Sequence, residues 1–300
     1  MIMPHDQIFV PLTKEQAYAL VDAVMERDDL ALSASAQETP EGEWLFEATC
    51  DSPPDIDAFN ALVKEVLDGK VDFAVERIDP EIDWVAKSLE GLQPVVAGGF
   101  YIYGSHEMAP PPGGLTPIHI DAAQAFGTGH HETTTGCLEA IDRVLKRQSP
   151  MRMLDVGTGT GVLAIALAKR TRRMVLASDI DPIAVTTTYN NARLNEVAGF
   201  IDPVRATGLQ NLGIQRGGPY NLIVANILAG PLRALAPSIN RVAAPGASIV
   251  LSGILTHQAA RVLAAYRQQG IVLKERIIRG EWTTLSLEKP RTYRLRYCRS

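Results

Sequence analysis

Three glycines at alternating positions, Gly157, Gly159 and Gly161, stand between a predicted strand and a predicted helix. Glycine at such a corner lets a ligand approach the backbone, and the helix start offers free N–H groups and partial positive charge. A dinucleotide-binding corner would carry Gly-x-Gly-x-x-Gly. This chain has Val162 at the position of that last glycine, so the spacing favours a cofactor without a pyrophosphate.

The next predicted strand ends at an acid, Asp179, which lies 22 residues after Gly157. A carboxylate at this place can accept hydrogen bonds from both hydroxyls of a ribose. The glycine corner and this acid together predict an adenosyl ligand, and they are the pattern of S-adenosylmethionine-dependent methyltransferases. The alternative for Asp179 is a structural role as a cap at the end of the strand.

Asn226 follows the third strong strand, where open α/β sheets place their ligands. We predict that Asn226 contacts the cofactor and acts in catalysis, because its amide oxygen can accept a hydrogen bond from an incoming amine. Many amine methyltransferases have Asn-Pro-Pro-Tyr here, with a ring that stacks on a planar nitrogen. This chain lacks that tyrosine, which favours a flexible aliphatic amine. The alternative for Asn226 is a turn-forming residue at a strand end.

The stretch DAAQAFGTGHHETTT, residues 121–135, precedes the first sheet strand and is predicted to fold over the cofactor as a lid. Phe126 would cover the adenosyl group or the methyl donor, and Gly127 and Gly129 would bend the loop. Thr134 would donate or accept a hydrogen bond at the methionine end of the cofactor, from the start of the following helix.

Two adjacent histidines, His130 and His131, raise the question of a metal site. Neighbouring residues do not share one side of a helix or strand, and no third ligand follows at usable spacing, so we predict no metal. Two roles stay open for these side chains: bracing of the loop by His131, and general base catalysis.

The first part of the chain predicts the order strand, helix, strand, strand, helix, strand. A capping box of Thr13 and Gln16 opens the first helix, which runs through about Met25. This order is the ferredoxin-like motif, but the cysteine spacing of an iron–sulfur ferredoxin is missing. We therefore predict a small α+β recognition domain over residues 1–79.

Residues 80–120 are interpreted as a linker with one short strand at FYIYGS. Gly98-Gly99 and a proline run interrupt regular secondary structure in this segment. Strands then alternate with helices over residues 121–290. This alternation predicts an α/β fold with a doubly wound, mostly parallel, Rossmann-like sheet. Two β-rich runs within 271–289 predict a closing antiparallel hairpin, and residues 291–300 form a basic tail.

Charge is distributed unevenly along the chain. Residues 1–90 hold 21 Asp and Glu against 6 Lys and Arg, whereas residues 91–300 hold 13 acids against 23 bases. An acidic front part attracts basic partners and repels nucleic acid, although it could equally just keep a small domain soluble.

The cellular context follows from cysteine usage and hydropathy. The three cysteines are far apart in sequence, which is typical of a reducing cytoplasm. Neither a signal peptide nor an apolar run of about 18 residues is found. We therefore expect a cytoplasmic protein without a membrane partner.

The segments AFGTGHHETTTGCLE, LDVGTGTGVLAIALAK, SDIDPIAV and VANILAGPLRALAP, in this order, resemble the bacterial ribosomal protein L-eleven methyltransferase family. The resemblance covers about residues 115–285, and the front part matches only in layout. It implies methyl transfer from S-adenosylmethionine to lysine ε-amines and the N-terminal α-amine of this large-subunit ribosomal protein. It also implies cofactor contacts at Thr134, Gly157, Asp179 and Asn226, and substrate recognition by the front domain.

The chain departs from the family pattern at three places. The family usually has Thr-His-Pro-Thr-Thr where this chain has His-His-Glu-Thr-Thr at 130–134, and Gly-Cys-Gly-Ser-Gly where this chain has Gly-Thr-Gly-Thr-Gly. The basic tail is extra. Because Thr134 and the glycines are kept, we expect the contacts to remain, in a monomer that binds a basic ribosomal protein and no nucleic acid directly.

Other functions on the same scaffold remain open from the sequence. An RNA or small-molecule methyltransferase would be favoured by a basic front domain, and this one is acidic. A binding module without activity would be favoured by loss of the glycine corner or of Asp179, and both are present.

Overall fold

A computed structural model describes most of the chain in two compact units. The units are Met1–Trp84 and Val85–Ser300. The described residues are 6–25, 27, 30–31, 33–39, 42–50, 53–67, 69, 71–77, 94–105, 111–120 and 131–291. Among these residues, no helix has the length and apolar character needed to cross a membrane.

The first unit has the six elements that the sequence predicts, in the predicted order. They are β1 (Asp6–Leu12), α1 (Lys14–Met25), β2 (Ser33–Glu38), β3 (Trp44–Cys50), α2 (Ile56–Leu67) and β4 (Ala74–Arg77). The capping box is confirmed, since the Gln16 N–H donates to Thr13 Oγ1 at 3.3 Å and the Thr13 N–H donates to Gln16 Oε1 at 3.1 Å. Reciprocal bonds of this kind satisfy two N–H groups that lack partners within the helix.

The four strands form one antiparallel sheet in the order β2-β3-β1-β4. This order confirms the ferredoxin-like layout. Alternate residues of β3 point into the core, where Phe46 packs with Ile8 of β1 and Phe59 of α2. The apolar stripe of each helix therefore covers one face of the sheet.

The second unit begins with a small sheet and continues with alternating strands and helices. Its elements are β5 (Val95–Ala97), β6 (Phe100–Tyr103), β7 (Thr116–His119), α3 (His131–Arg147), β8 (Met153–Val156), α4 (Val162–Thr171), β9 (Val175–Asp179), α5 (Pro182–Leu194), β10 (Ile201–Arg205), α6 (Leu212–Gly217), β11 (Tyr220–Asn226), α7 (Ala229–Val242), β12 (Ala243–Leu255), α8 (Ala259–Gln268), β13 (Val272–Arg279) and β14 (Trp282–Glu288).

Seven of these strands form one sheet in the order β10-β9-β8-β11-β12-β14-β13. The first five are parallel, and β14 and β13 are antiparallel additions, which confirms the doubly wound sheet and its closing hairpin. Helices cover both faces, so the inner strands are apolar on both sides. Because strand order reverses beside β8, a crevice opens where β8 and β11 end.

Strand β10 was not predicted from the sequence. It contains Pro203, which cannot donate a ladder hydrogen bond and therefore argues against a central strand. The structure places β10 at the edge of the sheet, paired only with β9, where a proline is tolerated.

The segment interpreted as a linker contains more than a connector. Gly98 and Gly99 both have positive φ, 54° and 77°, and they join β5 to β6 as a tight hairpin. A Cβ at Gly98 would collide with the backbone of Leu138 in α3. Phe100 and Ile118 are fully buried in the core shared with α3 and α4. The glycine pair, interpreted from the sequence as part of a linker, is thus a tight turn packed against α3.

Candidate functional site

The glycine corner lies between β8 and α4, and its three glycines have positive φ of 69°, 55° and 84°. At Gly157 a Cβ would collide with Ile227, and at Gly161 it would lie 2.9 Å from Thr188 Cγ2. At Gly159 a Cβ would meet nothing within 4 Å. Two of the glycines are therefore required by packing, and the middle one leaves an open face of backbone.

Asp155 connects the glycine corner to α4 through hydrogen bonds. Its side chain is fully buried, and Oδ2 accepts hydrogen bonds from Thr158 Oγ1 at 2.8 Å and from the Ala164 N–H at 3.1 Å. Oδ1 has no hydrogen-bond partner within the described residues. Burial raises the pKa of this carboxyl to about 7, although the two hydrogen bonds act in the opposite direction.

Asp179 stands at the end of β9 and is partly exposed. One oxygen, Oδ2, accepts from the Gly159 N–H at 2.9 Å, and the other, Oδ1, accepts from the Asp181 N–H at 3.1 Å. The capping role considered from the sequence is thus present. It does not exclude a ligand, since each carboxylate oxygen has a second lone pair.

An apolar side chain that sequence reasoning did not single out lies next to this acid. Ile180 is 61% exposed, directly after Asp179. Its exposed aliphatic surface is available to pack against the flat, apolar part of a ligand. The only sequence signal is its position after the acid.

Asn226 ends β11 and faces the start of α3. Its Nδ2 donates to Thr133 Oγ1 at 3.3 Å and to Thr134 Oγ1 at 3.4 Å. The two threonines are almost completely buried. With the amide nitrogen turned toward these hydroxyls, Oδ1 is the group left to accept a hydrogen bond from a ligand.

A pair of buried hydroxyls, on Ser252 and Thr284, holds the start of α3 in place beside Asn226. Ser252 Oγ donates to the Thr133 carbonyl at 3.2 Å and is 2.8 Å from Thr284 Oγ1. A Cβ at Gly136 would collide with the Thr284 hydroxyl, so α3 touches β14 directly. Ser252 and Thr284 belong to no motif, and no sequence signal pointed to them.

Part of the predicted lid lies outside the described residues. Phe126, Gly127, Gly129 and His130 are in this group, and so is the side chain of His131, so their proposed roles stay predictions. Helix α3 begins at His131. Thr134 therefore sits within its first turn, at the helix start where the sequence interpretation had placed it.

The structure brings the predicted residues into two clusters at one end of the sheet. Gly159 bonds to Asp179, and Thr134 bonds to Asn226. The two clusters meet because Gly157 packs against Ile227, the residue after Asn226. This is the end of the parallel strands at which ligands bind in such sheets.

Comparison with known proteins decides the family. Residues 7–290 match the family model described as "Ribosomal protein L11 methyltransferase (PrmA)". The chain belongs to the ribosomal protein L11 methyltransferase family. The match includes the first unit, for which the sequence had shown a likeness only in layout, and it ends just before the basic tail.

Individual relatives agree with the family match. A ribosomal protein L11 methyltransferase from Chelativorans sp. is 43% identical over 277 residues, which cover 91% of this chain and 94% of the relative. One from Rhodopseudomonas palustris is 46% identical over 264 residues, 87% of this chain and 89% of the relative. The crystal structure of a ribosomal protein L11 methylase from Lactobacillus delbrueckii subsp. bulgaricus has a TM-score of 0.56 and 30% identity, and covers 64% of this chain and 95% of that one.

Membership of this family makes the protein an S-adenosylmethionine-dependent methyltransferase. The residues present fit that cofactor. The bare backbone at Gly159 leaves room that a Cβ would fill, and Asp179 keeps lone pairs beside it.

Proposed function

We propose that this protein transfers methyl groups from S-adenosylmethionine to lysine ε-amines and the N-terminal α-amine of ribosomal protein L11. The observation that supports this most directly is the orientation of Asn226. Its amide nitrogen is engaged by Thr133 and Thr134, and its carbonyl oxygen is left to accept from an amine. An aliphatic amine needs such an acceptor and does not need an aromatic platform.

Each part of the cofactor has a proposed contact. The exposed backbone of Gly157 and Gly159 packs against the cofactor. Asp179 accepts hydrogen bonds from the ribose hydroxyls, and Ile180 packs on the purine. Thr134 takes the methionine end, and Phe126 is proposed as a cover. When bound, S-adenosylmethionine supplies an electrophilic methyl group on a sulfonium centre.

Asn226 would align the amine rather than deprotonate it. A lysine amine has a pKa of about 10.4 and must be neutral to present its lone pair. Removal from water lowers that pKa, and an acceptor such as Asn226 Oδ1 fixes the direction of the N–H bonds. Correct alignment of two reacting groups can supply much of the rate. The proposal therefore assigns no protein base.

The acidic first part of the chain is the proposed site of attraction for the substrate. Residues 1–90 carry a balance of −15, with 21 acids and 6 bases. Ribosomal proteins are basic, and opposite charge speeds encounter and favours binding. Cytoplasmic location, action as a monomer and the absence of direct contact with nucleic acid stay predictions.

The direct test incubates the purified protein with L11 and isotope-labelled S-adenosylmethionine and locates the label by peptide mass. Label on lysines and on the N-terminus is expected. With Asn226→Ala, kcat is expected to fall about 100-fold, the size of loss seen when one orienting hydrogen bond is removed. The affinity for S-adenosylmethionine, measured by calorimetry, should change much less.

Asn190→Ala is the matched control, since Asn190 is exposed on α5 and takes no part in the site. Its activity should equal that of the unmodified protein. Label on RNA or a small molecule, with none on L11, would overturn the proposed substrate. Unchanged turnover in Asn226→Ala would overturn the role of this residue.

A further inference from the structure

A cavity with a volume of about 400 Å³ lies away from the glycine corner. It is formed by the C-terminal half of α3, the first part of β12 and the paired strands β13 and β14. Ser248 lines it, whereas Ser252 lies behind Asn226 on the same strand. Four residues of strand span about 13 Å. The cavity is thus at the opposite end of β12 from the methyl-transfer site, where a cofactor is not expected.

Four cationic side chains line this cavity together with two acids. Arg143 pairs with Glu275, and Lys274 Nζ lies 3.3 Å from Glu288 Oε2. Each acid is thus engaged by one cation. The cations that remain are Arg147 and Arg291, which give the lining a net positive charge.

These two arginines have no hydrogen-bond or ion-pair partner within the described part of the chain. Arg291 lies over the backbone of Gly246, where a Cβ would come within 2.8 Å of the guanidinium Nε. The cavity also holds a polar pair, because Gln148 Nε2 donates to Ser248 Oγ at 2.6 Å. Two unpaired guanidinium groups beside polar groups in a concave site are suited to an anion.

We propose that this cavity binds a phosphate group, held by Arg147 and Arg291. The planar guanidinium presents paired N–H donors that match phosphate oxygens, and the volume admits a ligand of nucleotide size. The phosphate can belong to a small phosphorylated compound or to an RNA strand. Neither source is part of the methyl transfer proposed above, and the inference does not depend on it. Binding of an RNA strand would, however, contradict the prediction that the protein does not contact nucleic acid directly.

Arg291, one of the two proposed contacts, lies just outside the part of the chain that matches the family model. The family match ends at residue 290, and Arg291 is the next residue. Residues 291–300 hold four arginines and no acid.

The test measures two probes on the full-length protein at low ionic strength: pyrophosphate by calorimetry, and a fluorescent single-stranded RNA by anisotropy. The double variant Arg147→Gln and Arg291→Gln should weaken binding at least about tenfold, which corresponds to about 1.4 kcal/mol. The matched control is Arg193→Gln with Arg267→Gln. Both residues are exposed on helices elsewhere, and the control removes the same total charge. It should change affinity less than about threefold.

The two probes distinguish the sources of the phosphate. If pyrophosphate binds and RNA does not, the phosphate belongs to a small phosphorylated compound. If RNA binds and pyrophosphate displaces it, the phosphate belongs to an RNA strand. Binding of S-adenosylmethionine and methylation of L11 should be unchanged in both variants, which also shows that they fold. Failure of both probes to bind, or equal weakening by the control, overturns the proposal without touching the proposed function.

Discussion

At the scale of a single residue, Asp179 has one task that its hydrogen bonds show and one that is proposed, the binding of a ribose. Its carboxylate holds the N–H groups of Gly159 and Asp181 and still has lone pairs for a ribose. Asp179→Asn leaves one acceptor oxygen for these groups and removes the charge. We expect the affinity for S-adenosylmethionine to fall about 10- to 100-fold, since hydrogen bonds to charged groups contribute about 1.5–3 kcal/mol. Calorimetry measures this directly.

The neighbouring acid supplies the control for that prediction. Asp181 caps α5, and its Oδ1 accepts from the Ile183 N–H at 2.8 Å. Asp181→Asn should leave cofactor affinity within about threefold, because asparagine is also a good cap. Equal losses for the two variants would contradict a specific role of Asp179.

Asp155 predicts a pH dependence of stability. Burial raises its pKa to about 7 in the folded protein, so the folded state binds this proton more tightly than the unfolded state does. Its contribution to the free energy of unfolding is therefore greatest at low pH and is lost as pH rises toward about 7. Urea unfolding at about pH 5 and about pH 8 should show this loss.

Asp155→Asn keeps an acceptor for Thr158 and Ala164 and cannot ionise. The variant should therefore lack the part of the pH dependence that the aspartate causes. Parallel stability curves for the two proteins would show that this carboxyl does not titrate in that range.

At the scale of elements, the contact of α3 with β14 positions the site. Thr284→Val removes the hydroxyl that meets Ser252 and preserves the shape of the side chain. We expect a loss of about 1 kcal/mol in the free energy of unfolding. We also expect a lower kcat, because Thr133 and Asn226 depend on this contact, and a nearly unchanged affinity for the cofactor.

Thr283→Val separates positioning from stability. Thr283 is fully buried, and its hydroxyl lies 3.1 Å from Thr256 Oγ1. It therefore differs from Thr284, whose hydroxyl meets Ser252. This variant should lose a similar amount of stability and keep its kcat. If both variants lowered kcat equally, the effect would be general destabilisation.

At the scale of the whole molecule, the two parts of the chain carry opposite charge. Residues 1–90 have a balance of −15 and residues 91–300 one of +10. If the acidic part attracts the basic substrate, raising salt from about 50 to about 500 mM should weaken binding of L11 several-fold. The affinity for S-adenosylmethionine should barely change, because its contacts are short-ranged. Anisotropy measures the binding of L11, and calorimetry measures the affinity for S-adenosylmethionine. Equal salt sensitivity of the two would contradict an electrostatic attraction of the substrate.

Neutralising a few acids refines that test. Asp57→Asn with Glu65→Gln changes two exposed residues of α2 in the first unit, and Glu196→Gln with Asp202→Asn changes two exposed residues of the second unit. Only the first pair should weaken L11 binding. The same loss in both pairs would indicate an effect of net charge alone.

Most of the element order, and the residues proposed for the cofactor site, could be predicted from the sequence alone. Helical and strand periods, the capping box at Thr13, the glycine corner and Asp179 are local features, because sterics and backbone hydrogen bonding act between residues close in the chain. Family resemblance then supplied the cofactor and the substrate class.

The remaining features become visible only in the folded chain, because they arise between residues distant in sequence. Ser252 meets the carbonyl of Thr133 across 119 residues, and no motif marks such a pair. Pro203 argues against a strand until β10 is placed at a sheet edge. The cavity at Arg147 and Arg291 likewise exists only because α3 packs on β12 and β14.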